Sequence, residues 1–194
     1  MPAPPLAPDI LSPLAPDAAP WNLPAAPYAL ICRVAVVMQW SYMPKRKRIL
    51  VSACLLGERV RYDGGHKRAD ILIGTLGSFV EWIRICPEAD CGLPVPREPM
   101  RIVGDAERPH LVANGTGIDH TERLERWAST RLEELSGLGL SAYVCKKDSP
   151  SCGRMPAGIF TRIFSERFPH LPVEEEAPLA YPVACAKFIE RIKA

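Results

Sequence analysis

Ile49-Leu50-Val51-Ser52-Ala53-Cys54-Leu55-Leu56-Gly57 decides the fold. Its apolar, β-branched opening, Ile49 to Ala53, reads as a buried strand. The run ends on a thiol and then a turn glycine. The same order recurs twice. Trp82 to Ile85 leads into Cys86-Pro87-Glu88-Ala89-Asp90-Cys91-Gly92, and Leu140 to Val144 leads toward Ser149-Pro150-Ser151-Cys152-Gly153. Helix-like segments separate these runs. The alternation predicts an α/β fold, a Rossmann-like parallel sheet with helices on both faces. Strands of one parallel sheet end on the same edge, and ligands bind beyond that edge where the strand order reverses. The cysteine motifs sit at the strand C-terminal ends. Three thiols far apart in sequence are therefore expected in one crevice, a place for a metal or an iron–sulfur cluster.

Outward from the first strand, a polar turn, Tyr62-Asp63-Gly64-Gly65, precedes a predicted helix from Lys67 to Glu81, loosened by Gly74 and Gly77. Pro94, Pro96 and Pro99 break any helix after the second strand. Arg101 to Val103 and Leu111 to Ala113 suit a small hairpin around Gly104-Asp105. Leu124, Trp127, Ala128, Leu132 and Leu135 recur at three and four, which predicts a helix from Asp119 to Ser136 with Asp119 as its N-cap. A helix over Gly158 to Arg167 and a closing segment from Val183 to Ile192 complete the pattern. Glu174-Glu175-Glu176 reads as a solvated acidic run.

Residues 1–27 hold nine of the 21 prolines and cannot bury enough surface to offset ordering, so they read as disordered. An apolar island without clear period follows over 28–42. Met43-Pro44 then makes a fresh start. The expected division is a disordered or mis-called N-terminal extension over 1–42 and one α/β domain over 43–194.

The 194 residues suffice for a substantial core. A net charge of +2 exerts no pull toward nucleic acid or an anionic membrane, and Lys45 to Arg48 reads as a solvated strand entrance. No apolar run approaches the roughly 18 residues of a membrane helix. Seven cysteines is an odd number, and no secretory leader is evident. Clustered thiols in this setting read as cytoplasmic metal ligands or catalysts rather than disulfides.

Glu88 stands between two thiols just past a buried strand, where a carboxylate either caps the next turn or works as acid or base. The Cys86–Cys91 spacing matches neither a zinc ribbon nor a ferredoxin. Ser149 to Gly153 places two hydroxyls, a proline and a glycine around Cys152, so that backbone N–H groups and hydroxyls can face one bound atom. Lys146 and Lys147 stand close enough to lower that thiol's pKa. Cys32, Cys145 and Cys185 read as structural. The four histidines show no metal spacing, and His66 reads as a turn residue. Neither G-x-G-x-x-G nor a P-loop occurs.

Taken together and in order, Ser52 to Gly57, Arg61 to Gly64, Cys86 to Glu88 with Pro96-Arg97, and Ser149 to Gly153 resemble the thiouracil desulfidase family. The resemblance runs from about Lys47 to Met155. Phe164 to Glu176 is similar to longer members, which carry a separate second domain after this one. The resemblance implies a [4Fe–4S] cluster held by three cysteines, with one iron open to sulfur of a thiolated base. By motif, the ligands are Cys54, Cys86 and Cys152, with Cys91 as a second choice in place of Cys86. Glu88 is then the acid or base, and Ser149 orients substrate or water. The expected reaction is non-redox desulfuration of a small thiolated base or nucleotide such as thiouracil, with release of sulfide. A zinc site, or a plain small-ligand-binding domain using the same cysteines, is the alternative. Neither a membrane nor nucleic acid is an expected partner.

Overall fold

The computed structural model describes residues 46–105 and 107–193. The expected extension over 1–42, the apolar island within it and Cys32 lie outside the described residues. Strand β1 (Lys47–Ser52) pairs in parallel with β2 (Val80–Ile85), from Lys47 opposite Val80 to Ser52 opposite Ile85. On its other side β1 pairs with β5 (Leu140–Cys145), which in turn pairs with the short β6 (Val173–Glu175). The order is β2-β1-β5-β6, and all pairs are parallel. The remaining strands, β3 (Met100–Val103) and β4 (His110–Ala113), form the expected antiparallel hairpin.

Helices cover both faces, which explains why the strands lack polar alternation. Ile49, Val51, Ala142 and Val144 face one side. There they meet Leu72 and Leu76 of α1 (Asp70–Leu76) and Phe188, Ile189 and Ile192 of α5 (Pro182–Lys193). Leu50 and Tyr143 face the other side. That side is closed by Leu124, Ala128, Leu132 and Leu135 of α3 (Thr121–Ser136) and by Phe160 and Phe164 of α4 (Ile159–Arg167). Tyr143, Phe160 and Phe164 form a ring cluster with centroids 5.2–6.3 Å apart. The four apolar positions of α3 are the ones its periodicity selects, while Trp127 packs at the margin against Phe160.

Three expectations need correction. The helix expected over Lys67 to Glu81 is only α1, because Gly74 and Gly77 weaken it and Glu81 belongs to β2. There Glu81 sits opposite Arg48 and accepts its Nε at 2.9 Å. The N-cap of α3 is His120, one residue after Asp119. Asp119 still serves the helix start, since its Oδ1 accepts the Thr121 N–H at 2.8 Å. The acidic run at 174–176 is not a solvated tail of charge: Glu174 and Glu175 lie in β6, and Glu175 is buried. No helix among the described residues is long and apolar enough to cross a membrane.

The strand order reverses at β1. From β1 the chain moves outward to β2, then returns across β1 to β5 and β6. The connection after β1 runs through α1 on one face, and that after β5 through α4 on the other. A crevice opens between such diverging connections.

Candidate functional site

The three motifs meet at that crevice. Cys54 lies in a 3-10 turn (Ala53–Leu56) directly after β1. Cys86 follows β2 and is the N-cap of a one-turn helix, α2 (Pro87–Asp90). Pro87 suits the first helical position because its missing N–H is not needed there. Cys152 lies in the loop after β5. Cys54, Cys86, Cys152, Glu88 and Ser149, the residues expected at a site, all line one cavity of about 390 Å³. Cys91 does not line it. Its thiol donates to the Glu88 carbonyl within its own turn at 3.2 Å. Cys145 ends β5 and donates to the Glu174 carbonyl at 3.4 Å, and Cys185 is buried in α5. His66 stays in its turn, where Nδ1 accepts the Arg68 N–H.

Burial governs the thiols. It pushes the Cys54 pKa up to about 12, and the Cys152 and Cys86 thiols add to the rise while Lys146 and Arg61 oppose it. Burial likewise pushes Cys86 up to about 12, with Cys152, Glu88 and Asp90 contributing. Cys152 is also raised by burial, against hydrogen bonds with Ser149 and Ser52 that lower it. The expected depression of this thiol is therefore reversed, since desolvation outweighs the neighbouring donors. Each of the three thiols is electrostatically coupled to at least one other. Among the described residues no group of three Cys, His, Asp or Glu side chains closes tightly enough to hold a single metal ion. Three thiols lining one cavity are the soft donor set that an iron–sulfur cluster takes.

A chain of hydrogen bonds runs from Cys152 to a buried ion pair. The Cys152 thiol donates to Ser149 Oγ at 3.1 Å, which lies 3.1 Å from Ser151 Oγ. Ser151 donates to Glu88 Oε1 at 2.6 Å. The other carboxylate oxygen, Oε2, takes Nε and Nη2 of Arg97 at 2.8 and 2.5 Å. Arg97 also donates to the Val60 carbonyl at 3.0 Å, so its guanidinium is held from two sides. Both charged side chains are nearly buried, with 6% and 11% exposure. Removing one partner of such a pair strands the other charge, at a cost of about 3–5 kcal/mol.

Ser151, Arg97, Ser52 and Tyr143 join the expected residues at the site. Ser151 and Ser52 lay inside the motifs, and Pro96-Arg97 is an arginine held in a proline-broken segment. Tyr143 carried no signal, because an aromatic residue in a strand reads as core. Ser52 Oγ meets the Tyr143 hydroxyl at 3.4 Å, donates to Cys152 Sγ at 3.4 Å and accepts the Lys146 N–H at 3.0 Å.

The Cys152 loop is wound tightly on its own backbone. Ser149 Oγ accepts the Cys152 N–H at 3.2 Å, and the Gly153 N–H reaches the Ser149 carbonyl at 2.8 Å. Ser151 O accepts from Phe160 N at 2.9 Å, and Thr161 Oγ1 donates to Cys152 O at 2.8 Å. A Cβ at Gly158 would lie 2.5 Å from the Ser151 oxygen, and one at Gly153 2.7 Å from the Ser149 oxygen. Both glycines are required by close backbone approach.

Residues 49–176 match the 2-thiouracil desulfurase family, a span that includes every residue of this cavity named above. The chain belongs to that family. The chain is 37% identical over 110 residues to the uncharacterized protein YbbK of Bacillus subtilis (strain 168), covering 54% of this chain and 72% of YbbK. It is also similar to the solved structure of TudS, a [4Fe-4S]-dependent thiouracil desulfidase. That match has a TM-score of 0.57 and 30% identity, over 75% of this chain and 99% of TudS.

Proposed function

We propose that the protein hydrolyses the C=S group of a thiolated pyrimidine such as thiouracil, at a [4Fe–4S] cluster held by Cys54, Cys86 and Cys152. The balance is thione plus water giving the carbonyl compound plus hydrogen sulfide, with no net transfer of electrons. The observation that carries the reading is the convergence of three thiols, those of Cys54 and Cys152 buried and that of Cys86 half-buried, with a hydrogen-bond chain ending on Glu88. Membership of the desulfurase family and the likeness to TudS support it.

When bound, the cluster supplies a soft Lewis acid that draws charge from the carbon of C=S. The protein supplies position and proton handling. Arg97 holds Oε2 of Glu88, which leaves Oε1 as the oxygen facing the hydroxyl chain. A water beside Ser149 Oγ can pass a proton through Ser149 and Ser151 to Glu88 Oε1 as its oxygen attacks carbon. The same chain returns the proton to departing sulfide. The reading assigns this activity to the 43–194 domain, in the cytoplasm, with a small thiolated base or nucleotide as substrate and no nucleic-acid partner.

Anaerobic reconstitution tests the reading. About four irons and four acid-labile sulfides per chain are expected, followed by sulfide release from thiouracil. Cys54→Ser and Cys152→Ser are expected to lose the iron. Glu88→Gln is expected to keep the iron and lose about 10²–10⁴-fold in kcat. A colourless protein that takes up zinc and no iron overturns the cluster. Full turnover by Glu88→Gln overturns the role of that carboxylate.

A further inference from the structure

Three consecutive glutamates at a sheet edge repel one another and are expected to seek water. Glu174-Glu175-Glu176 does the opposite. Glu175 is buried, and the Glu176 side chain is 13% exposed. The two carboxylates reach back to β5 and the loop that follows it. Glu176 Oε2 accepts the Lys147 N–H at 2.7 Å, and its Oε1 lies 3.6 Å from Lys146 Nζ. Glu175 Oε1 accepts the Arg154 N–H at 3.1 Å. The neighbouring Glu174 pairs instead with the Arg154 and Arg191 guanidinium groups at 3.6 Å. Between the two backbone donors, Lys147 and Arg154, lie Ser149, Ser151 and Cys152.

The loop's internal bonds set its own shape: Ser149 Oγ takes the Cys152 N–H, and the Gly153 N–H closes on Ser149 O. Those bonds do not set where the loop stands against β1 and β2, which carry the other two thiols. That placement depends on what ties the loop to the sheet. At its first end the ties are Ser52, which accepts the Lys146 N–H, and Glu176. Within the loop, Ser52 meets the Cys152 thiol and Ser151 reaches Glu88, and beyond Cys152 the ties from β6 are Glu175, at the Arg154 N–H, and Glu174, at the Arg154 guanidinium. Strand β6 pairs with β5 over only three residues, and the ladder extends one step further through the Glu176 N–H to Cys145 O. So short a strand adds little to the sheet, but it delivers two carboxylates to the two ends of the loop.

We propose that Glu175 and Glu176 are positioning residues, which clamp both ends of the 146–154 loop and so place Cys152, Ser149 and Ser151 against the thiols of the other strands. Neither lines the cavity. Their effect on turnover rests on the desulfidase reading, whereas their hold on the loop does not.

The test compares Ala, Asp and Gln at each position in the full chain. Gln keeps the reach and an acceptor oxygen but no charge, while Asp keeps the charge and loses the reach. Hydrogen–deuterium exchange of the peptide spanning Lys147 to Arg154 reads the clamp directly, with or without iron. Glu176→Asp and Glu175→Asp are expected to exchange faster there, as are the Ala variants, and Gln is expected to stay near the parent. After reconstitution, Asp and Ala variants are expected to lose about 10–100-fold in iron affinity or kcat, with KM little changed and Gln restoring both. Parent-like exchange in the Asp and Ala variants overturns the clamp. Gln variants as impaired as Ala also overturn it, since charge rather than the hydrogen bond would then be at work. If the parent binds no iron and releases no sulfide, the desulfidase reading fails, yet the exchange comparison still decides the clamp.

Discussion

Ser52 shows how one hydroxyl can join two strands and a thiol. It ends β1, is 2% exposed, and meets Tyr143, Lys146 and Cys152 at separations of 91 to 100 residues. Ser52→Ala leaves the Lys146 N–H without its acceptor and is expected to destabilise the protein by about 1–3 kcal/mol. A lowered urea midpoint at unchanged slope checks this, and an unchanged midpoint contradicts it. At this scale the residue types mark Cys54, Cys86, Cys91, Cys152 and Glu88 as thiols and a carboxylate after buried strands, while the family resemblance ranks Cys86 above Cys91 and gives Ser149 its expected role. Neither gives a hint that Ser151 links Ser149 to Glu88, or that Arg97 holds that carboxylate. Those roles are pairings between distant residues, and a local pattern carries no information about the partner.

The elements were more legible than the contacts. The three core strands, the hairpin, α3 and α4 stand within two residues of where apolar runs and periodicity place them. The misses have local causes. Helical spacing over 67–81 competed with two glycines and with a β-branched strand start, and the strand won because β1 pairs with it along its length. The one-turn helix α2 is too short to show a period, and β6 was hidden by its charges. The loop between β5 and α4 is sharply specified by Gly158, whose missing side chain lets the chain pass against the Ser151 carbonyl. Gly158→Ala is expected to cost about 1–3 kcal/mol through overpacking, read as a fall in thermal midpoint. It is also expected to lower iron loading, since Cys152 adjoins the displaced residue. Parent-like midpoint and loading would show that the loop gives way freely.

For the molecule as a whole, burying the thiols has a pH signature. Cys54 and Cys86 are raised from an ordinary 9.0 to about 12 in the folded protein. Between these values the unfolded chain has released protons that the folded chain still holds, so stability falls as pH rises. The iron-free, reduced protein is therefore expected to lose urea resistance progressively above pH 9, and a flat midpoint over that range contradicts the burial. Iron-loaded protein is expected to lack this dependence, because its thiolates are already deprotonated. The amino-acid sequence by itself determined the α/β class and the strand ends that carry thiols. These follow from composition and short-range periodicity, which act within a few residues. Only the tertiary structure decided that Cys86 and not Cys91 lines the cavity, that Glu88 is shared between Ser151 and Arg97, and that the acidic run of β6 grips the Cys152 loop. The reason is physical: hydrogen bonds and burial depend on where the strand order brings distant segments together, and that order is a property of the whole sheet.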